Sequence, residues 1–209
     1  MSNNPNTNHQ STRRITSDHI TAVILAGGLG SRMGGVDKGL QQFRHAPLAL
    51  HALLRIQPQV GEVLLNANRN IGVYEGFGIP VICDQIPDYA GPLAGMHAAL
   101  STSALPFVAT VPCDVPLFPE NLVEKLSQPF EDNPDLMLTV VQTPSGDQPV
   151  FCLIRIEALT SLEEFMKQGK RKIDAWYAQI PHAKVYFDDE KAFHNVNTVE
   201  ELKSLESSK

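Results

Sequence analysis

Residues 20–40 read ITAVILAGGLGSRMGGVDKGL. The run from Ile20 to Ala26 is apolar except for Thr21 and rich in β-branched residues, the composition of a strand covered on both faces. Behind it come Gly27, Gly28, Gly30, Gly34 and Gly35, with Arg32 and Lys38 close by. Glycines let backbone N–H groups approach a ligand, and concave runs of N–H groups bind phosphate. Two common phosphate loops are excluded. A P-loop needs GxxxxGK[ST], and here Gly35 is followed by Val36-Asp37-Lys38. The dinucleotide fingerprint GxGxxG breaks at Met33. Arg32 and Lys38 are suited to a triphosphate, one as a planar fork and the other as a point charge, although both residue types also occur as solvated surface cations.

Outward from this loop, strand-like and helix-like segments alternate. Apolar runs occur at 20–26, 62–67, 79–83, 106–112, 136–142, 149–154 and 184–187. Amphipathic stretches lie at 47–58, 91–103, 119–128, 156–168, 171–179 and 198–206, the last opened by a Thr198/Glu201 capping-box pattern. Such alternation predicts parallel βαβ units with right-handed crossovers. We expect one α/β domain, a doubly wound mostly parallel sheet, with an irregular or antiparallel excursion near 143–152. Residues 1–18 are polar and lack the apolar core of a secretory signal, and we read them as a disordered tail ahead of a domain at 19–209.

Composition narrows the function classes. The net charge is −6 and no basic stripe runs along the chain, which argues against nucleic acid. No apolar run is long enough to cross a bilayer. Cys83, Cys113 and Cys152 are odd in number and widely spaced, which excludes a disulfide framework and fits a cytoplasmic protein. The histidines show no metal-binding spacing.

In a doubly wound sheet, ligands bind beyond the carboxyl ends of the strands. Asp114 stands there, between Pro112 and Pro116, where a carboxylate can hold Mg²⁺ or make an Asx turn. Asp84 follows the strand at 79–83, and Gly91–Gly95 opens a helix whose N-terminus would face the same edge. Asn66 and Asn68 end EVLLNAN, where amides can read a base or ribose edge or cap a turn.

The pattern LAGGxxxRMGGxDKxL resembles the signature of nucleotidyltransferases, and its RMGGVDK section is most similar to the MobA-type molybdenum cofactor guanylyltransferase family. VLLNANRN, VICD…DYAGPLAGM, PCDVP and FHNVNTVEEL extend the resemblance over nearly all of 20–206. It implies a Rossmann-like, three-layer, single nucleotidyltransferase domain. It implies transfer of GMP from GTP to the phosphate of molybdenum-molybdopterin, with release of pyrophosphate and with Mg²⁺ as cofactor. Nucleotide contacts then fall on Leu25, Ala26, Gly27, Gly28, Lys38, Asn66, Asp84 and Asp114. Arg32, Lys38 and Asp114 become the catalytic set, with Asp114 the metal ligand. The acceptor side falls on Arg171, Lys172, Asn195 and Asn197. A solvated charge run at 167–172 and capping of the last helix by the asparagines are the alternatives. The family tends to have arginine where Lys172 stands, and some relatives have histidine where Gln148 stands. Transient contact with molybdoenzymes, their chaperones and molybdenum-insertion proteins is implied by the family alone.

Two rival readings stay open. A cytidylyltransferase of the same group usually carries LAAG where this chain has LAGG. A non-catalytic GTP-binding adaptor would keep the loop and lose the lysine or the carboxylate, and both are present.

Overall fold

The computed structural model describes residues 14–27, 37–86, 91–196 and 201. Its centre is a seven-stranded sheet in the order β5-β4-β1-β6-β8-β7-β9. The strands are β1 (Ile20–Leu25), β4 (Glu62–Asn66), β5 (Val81–Ile82), β6 (Phe107–Pro112), β7 (Leu138–Thr143), β8 (Gly146–Arg155) and β9 (His182–Tyr186). β1, β4, β5 and β6 are mutually parallel, and β7 is parallel to β9. Only β8 runs against its neighbours, which realises the antiparallel excursion expected near 143–152. A register shift at Val140/Val141 bends the β7–β8 pair.

Helices cover both faces. On one side α1 (Leu48–Ile56) and α4 (Leu122–Asp132) seal a core with Ile24, Leu53, Leu65, Val111, Leu126 and Phe130. On the other, α3 (Pro92–Thr102), α5 (Leu159–Lys167) and α6 (Ile173–Tyr177) close over Val23, Val108, Leu138, Cys152 and Ile154. The first five residues of β1 and of β6 are buried whichever way they point, as near-continuous hydrophobicity requires. Trp176 and Tyr177 are buried within the second layer, as packing residues of α6.

Several boundaries move. β5 is two residues long where the apolar run suggested five, and it begins after Pro80. A small hairpin, β2 (Gln42–Phe43) with β3 (Ala46–Pro47), and the one-turn helix α2 (Ile71–Glu75) have no counterpart in the hydrophobic pattern. Ser17–His19 forms a 3₁₀ turn ahead of β1, and Ile15 packs on the core, so the described structure takes in residues from the end of segment 1–18. The expected helix at 198–206 lies, except for residue 201, outside the described residues.

Candidate active site at the carboxyl edge of the sheet

The ends of β1, β4, β5 and β6 meet along one edge, and most of the expected nucleotide residues stand there. Leu25 closes β1, and its carbonyl accepts from the Cys113 N–H at 3.1 Å. Ala26 donates its N–H to the Asn66 carbonyl at 2.9 Å, and Ala67 donates to Ile82 at 3.0 Å. These bonds carry the ladder one residue past each strand, so the loops leave from a fixed edge.

Asn66 is the pivot of one half. Its side chain is buried, and Nδ2 donates to Asp84 Oδ1 at 2.9 Å. Asn68 Nδ2 donates to Asp84 Oδ2 at 2.7 Å, and the Asp84 N–H donates back to Asn68 Oδ1 at 2.9 Å. Both carboxylate oxygens are thus engaged by amides. Charge-assisted bonds of this kind are short and directional, and they hold Asp84 at one angle to the edge. Two glycines face Asn66, and the fit is tight at Gly27 and without room for a side chain at Gly95 unless a neighbour shifts. A Cβ on Gly27 would lie 3.1 Å from Asn66 Oδ1, and one on Gly95 would lie 2.5 Å from it and 2.7 Å from Leu25 Cδ2. Gly91 takes φ +139° as the N-cap of α3, with Pro92 at the first helical position, so the N-terminus of α3 opens on the same edge.

The other half centres on Lys38 and Asp114. Lys38 Nζ lies 3.2 Å from Asp114 Oδ2, with side-chain exposures of 32% and 13%. The lysine crosses from the loop after β1 to the turn after β6. The Asp114 carbonyl accepts from the Val196 N–H at 2.8 Å, which brings the Asn195 segment to the same turn. Cys113 beside it is buried, and burial, then the nearby Asp114 and Asp37 carboxylates, push its thiol far above the usual range. It is no nucleophile at neutral pH, consistent with its reading as a small buried hydrophobe.

Of the expected catalytic set, Lys38 and Asp114 are brought together; Arg32 and Gly28 lie outside the described residues, as does Asn197. Arg171 and Lys172 are exposed and lead into α6, over the half of the sheet formed by β8, β7 and β9. That half has its own polar junction. Asp147 accepts from Lys184 at 2.8 Å, from Tyr177 Oη at 2.9 Å and from Gln142 Nε2 at 3.1 Å. Burial opposes ionisation of Asp147, but the Lys184 and Tyr177 bonds outweigh it and hold the carboxyl below its ordinary range. Gln148 Nε2 turns inward to Thr143 Oγ1 at 3.2 Å and braces the hairpin.

One residue escaped the sequence reading. Asp37 is buried and accepts three hydrogen bonds: from Tyr74 Oη at 2.6 Å, from Asn70 Nδ2 at 2.9 Å and from the Gly39 N–H at 3.1 Å. The sequence cues are its fixed place in the RMGGVDK section and its position before Lys38 as the N-cap of a short helix.

Asp114 offers hard carboxylate oxygens at this edge. Among the described residues no group of three or more His, Cys, Asp or Glu could hold a metal by itself. A single carboxylate is compatible with Mg²⁺, which needs only one or two carboxylates when phosphate oxygens and water complete its octahedron.

Known proteins resemble this chain in sequence and in fold. Residues 22–183 match the MobA-like NTP transferase domain family. A molybdenum cofactor guanylyltransferase from Methylibium petroleiphilum is 53% identical over 203 residues, covering 93% of this chain and 99% of the relative. One from Cupriavidus taiwanensis is 49% identical over 197 residues, covering 92% and 99%. Among solved structures, molybdopterin-guanine dinucleotide biosynthesis protein A from Archaeoglobus fulgidus superposes with a TM-score of 0.71 at 23% identity, covering 90% of this chain and 96% of that one. A CMP:2-keto-3-deoxy-manno-octonic acid synthetase complexed with CTP gives 0.71 at 15% identity, covering 91% and 97%. At these identities the structural matches speak for the fold alone.

Proposed function

The chain belongs to the MobA-like NTP transferase family, and from that premise we infer that it is a molybdenum cofactor guanylyltransferase, moving GMP from GTP to the phosphate of molybdopterin. A phosphate oxygen of the acceptor attacks the α-phosphorus of GTP. The bond between the α-phosphorus and the bridging oxygen breaks, and pyrophosphate leaves with that electron pair. The nucleophile is already anionic at pH 7, so no general base is needed. The chemistry therefore needs neither a Ser-His-Asp nor a Cys-His arrangement, and the buried Cys113 thiol is a bystander.

The obstacle is repulsion between anions. Two unit charges about 4 Å apart repel by about 4 kcal/mol at an effective dielectric near 20, and several such pairs meet here. The observation that carries the reading is the Lys38–Asp114 pair at the strand ends. Lys38 neutralises charge gathering on the leaving phosphates, and Arg32 is assigned the same task. Leu25, Ala26, Gly27 and Gly28 cradle the nucleotide with their backbone. Asn66 and Asp84 position its nucleoside, and their mutual hydrogen bonds preset that geometry before binding. We assign Mg²⁺ to Asp114, in keeping with the divalent metal generally used by this kind of enzyme. When bound it supplies further positive charge to the phosphates.

Arg171, Lys172, Asn195 and Asn197 are assigned to the acceptor. The basic pair suits its phosphate, and Asn195 sits one residue before the bond that ties Val196 to Asp114. No helix among the described residues is long and apolar enough to cross a membrane. We place the enzyme in the cytoplasm, in transient contact with a molybdenum-insertion protein that supplies its acceptor and with the molybdoenzymes and chaperones that take its product.

The test is pyrophosphate release with Mg²⁺, the molybdopterin acceptor and each nucleoside triphosphate in turn. Release with GTP is expected. Release with CTP in its place makes the chain a cytidylyltransferase, and GTP binding without turnover makes it an adaptor.

A further inference from the structure

Lys38 must reach across the cleft, yet it sits on a one-turn 3₁₀ helix, Lys38–Leu40, directly after the glycine loop. An element so short has almost no stability of its own. Something else holds the lysine at its post. The adjacent residue, Asp37, is buried, an uncommon place for a carboxylate unless its oxygens are fully engaged. Oδ1 accepts from Tyr74 Oη at 2.6 Å and from the Gly39 N–H at 3.1 Å, and Oδ2 accepts from Asn70 Nδ2 at 2.9 Å. The donors come from two separate places: Gly39 belongs to the lysine's own turn, and Asn70 and Tyr74 belong to α2 and its cap.

The anchor is rigid. Tyr74 is fully buried in the core and packs edge-on against Phe77. Burial, then the bond to Asp37, pushes its hydroxyl far above the ordinary range, so it stays a neutral donor. Asn70 holds a left-handed backbone at φ 53°, which aims its amide at the loop. Gly39 has no room for a side chain, since a Cβ would lie 2.4 Å from Tyr74 Oη.

We infer that Asp37 is a positioning residue: it clamps the Lys38 turn to α2 and so fixes the ammonium opposite Asp114. This rests on the nucleotide-transfer reading above. It also gives α2 a purpose, because Tyr74 and Asn70 face the clamp rather than the substrate.

The experiment is a double-mutant cycle on the full-length chain, read as the GTP dissociation constant by calorimetry and as kcat/KM by pyrophosphate release. Asp37→Ala is expected to weaken GTP binding and lower kcat/KM by about tenfold in the wild-type background. In a Lys38→Ala background the same change is expected to cost less than about twofold, since the group it positions is gone. A merely structural role would lower melting temperature equally in both backgrounds and give additive losses in GTP affinity; that additivity overturns the inference. Should Asp37→Ala fail to fold, the cycle is run with Tyr74→Phe. That variant keeps the ring's packing and removes one of the three donors, and about a threefold loss confined to the Lys38-containing background is expected. A wild-type chain without GTP turnover refutes the transfer reading by itself; turnover with an additive cycle removes Asp37 alone.

Discussion

Replacing Gly95 by alanine sets two well-defined effects against each other. Gly95 lies in the first half of α3, and inside a helix alanine is favoured over glycine by about 1 kcal/mol. Propensity alone therefore predicts a stabilised protein. The added Cβ, however, would fall 2.5 Å from Asn66 Oδ1, 3.0 Å from Asn66 Cγ and 2.7 Å from Leu25 Cδ2. Asn66 is 3% exposed and is held by its bond to Asp84, so it can yield only by giving up that bond. Overpacking of this kind costs about 1–3 kcal/mol, and losing the Asn66–Asp84 bond adds about 0.5–1.5 kcal/mol. The sum outweighs the propensity gain, so Gly95→Ala should lower stability by about 0.5–3.5 kcal/mol. It should also weaken GTP binding through the displaced Asn66–Asp84 pair. Gly72→Ala is the internal control: it too lies in a helix, α2, and its Cβ would meet nothing within 4 Å. That variant should be unchanged or gain up to about 1 kcal/mol. Urea denaturation and GTP calorimetry on both variants decide the matter. If Gly95→Ala matches Gly72→Ala in stability and binds GTP normally, the tight fit around Asn66 is not real.

Further outcomes follow from the same edge. Lys38→Ala should reduce kcat/KM by about 100-fold or more, as loss of a preorganised charge does, and a near-normal rate removes it from the catalytic set. Asp114→Ala should abolish turnover while weakening GTP binding far less, which single-turnover assays beside calorimetry will resolve. Chelation with EDTA should stop pyrophosphate release and Mg²⁺ should restore it; a chelator-insensitive rate argues against a metal on Asp114. Asp147→Asn should destabilise the fold by about 1–2 kcal/mol at neutral pH, less than a fully buried pair because Lys184 is 42% exposed. The folded pKa of Asp147 is depressed, so its contribution is complete above the ordinary carboxylate value and disappears as pH falls through the folded one. The stability gap between wild type and variant should therefore close on acidification, and a gap that widens contradicts the assignment.

The order of elements was legible because β1, β4 and β6 are buried on both faces, and this leaves long apolar runs in the chain. The strand-end positions of Asn66, Asp84 and Asp114 were legible because these residues stand directly after or at the close of apolar runs. The small elements were not. The β2–β3 hairpin turns through Arg44 and His45, both at positive φ, residue types that announce no such turn. Helix α2 is five residues long and is held by Tyr74, whose partner Asp37 is distant in the chain. Periodicity records which face of a segment is apolar; it carries no trace of a polar contact between segments. Asp37 received no role from the sequence for that reason, and β5 was overextended because its apolar run continues through Pro80, a residue that cannot donate to a ladder.

The reversed strand β8 has a consequence for where this edge of the sheet can accept change. Elsewhere along this edge a strand leads through a loop toward a helix, and lengthening that loop shifts an entire helix against the core. At β7–β8 the edge is a hairpin tip, closed where Thr143 pairs with Gly146. A tip can grow, shrink or change its chemistry while the pairs below it keep their register. The half around Asn66, with Gly27 and Gly95 close against its side chain, has less latitude. Insertions and substitutions should therefore be tolerated at residues 143–146 far better than beside Asn66.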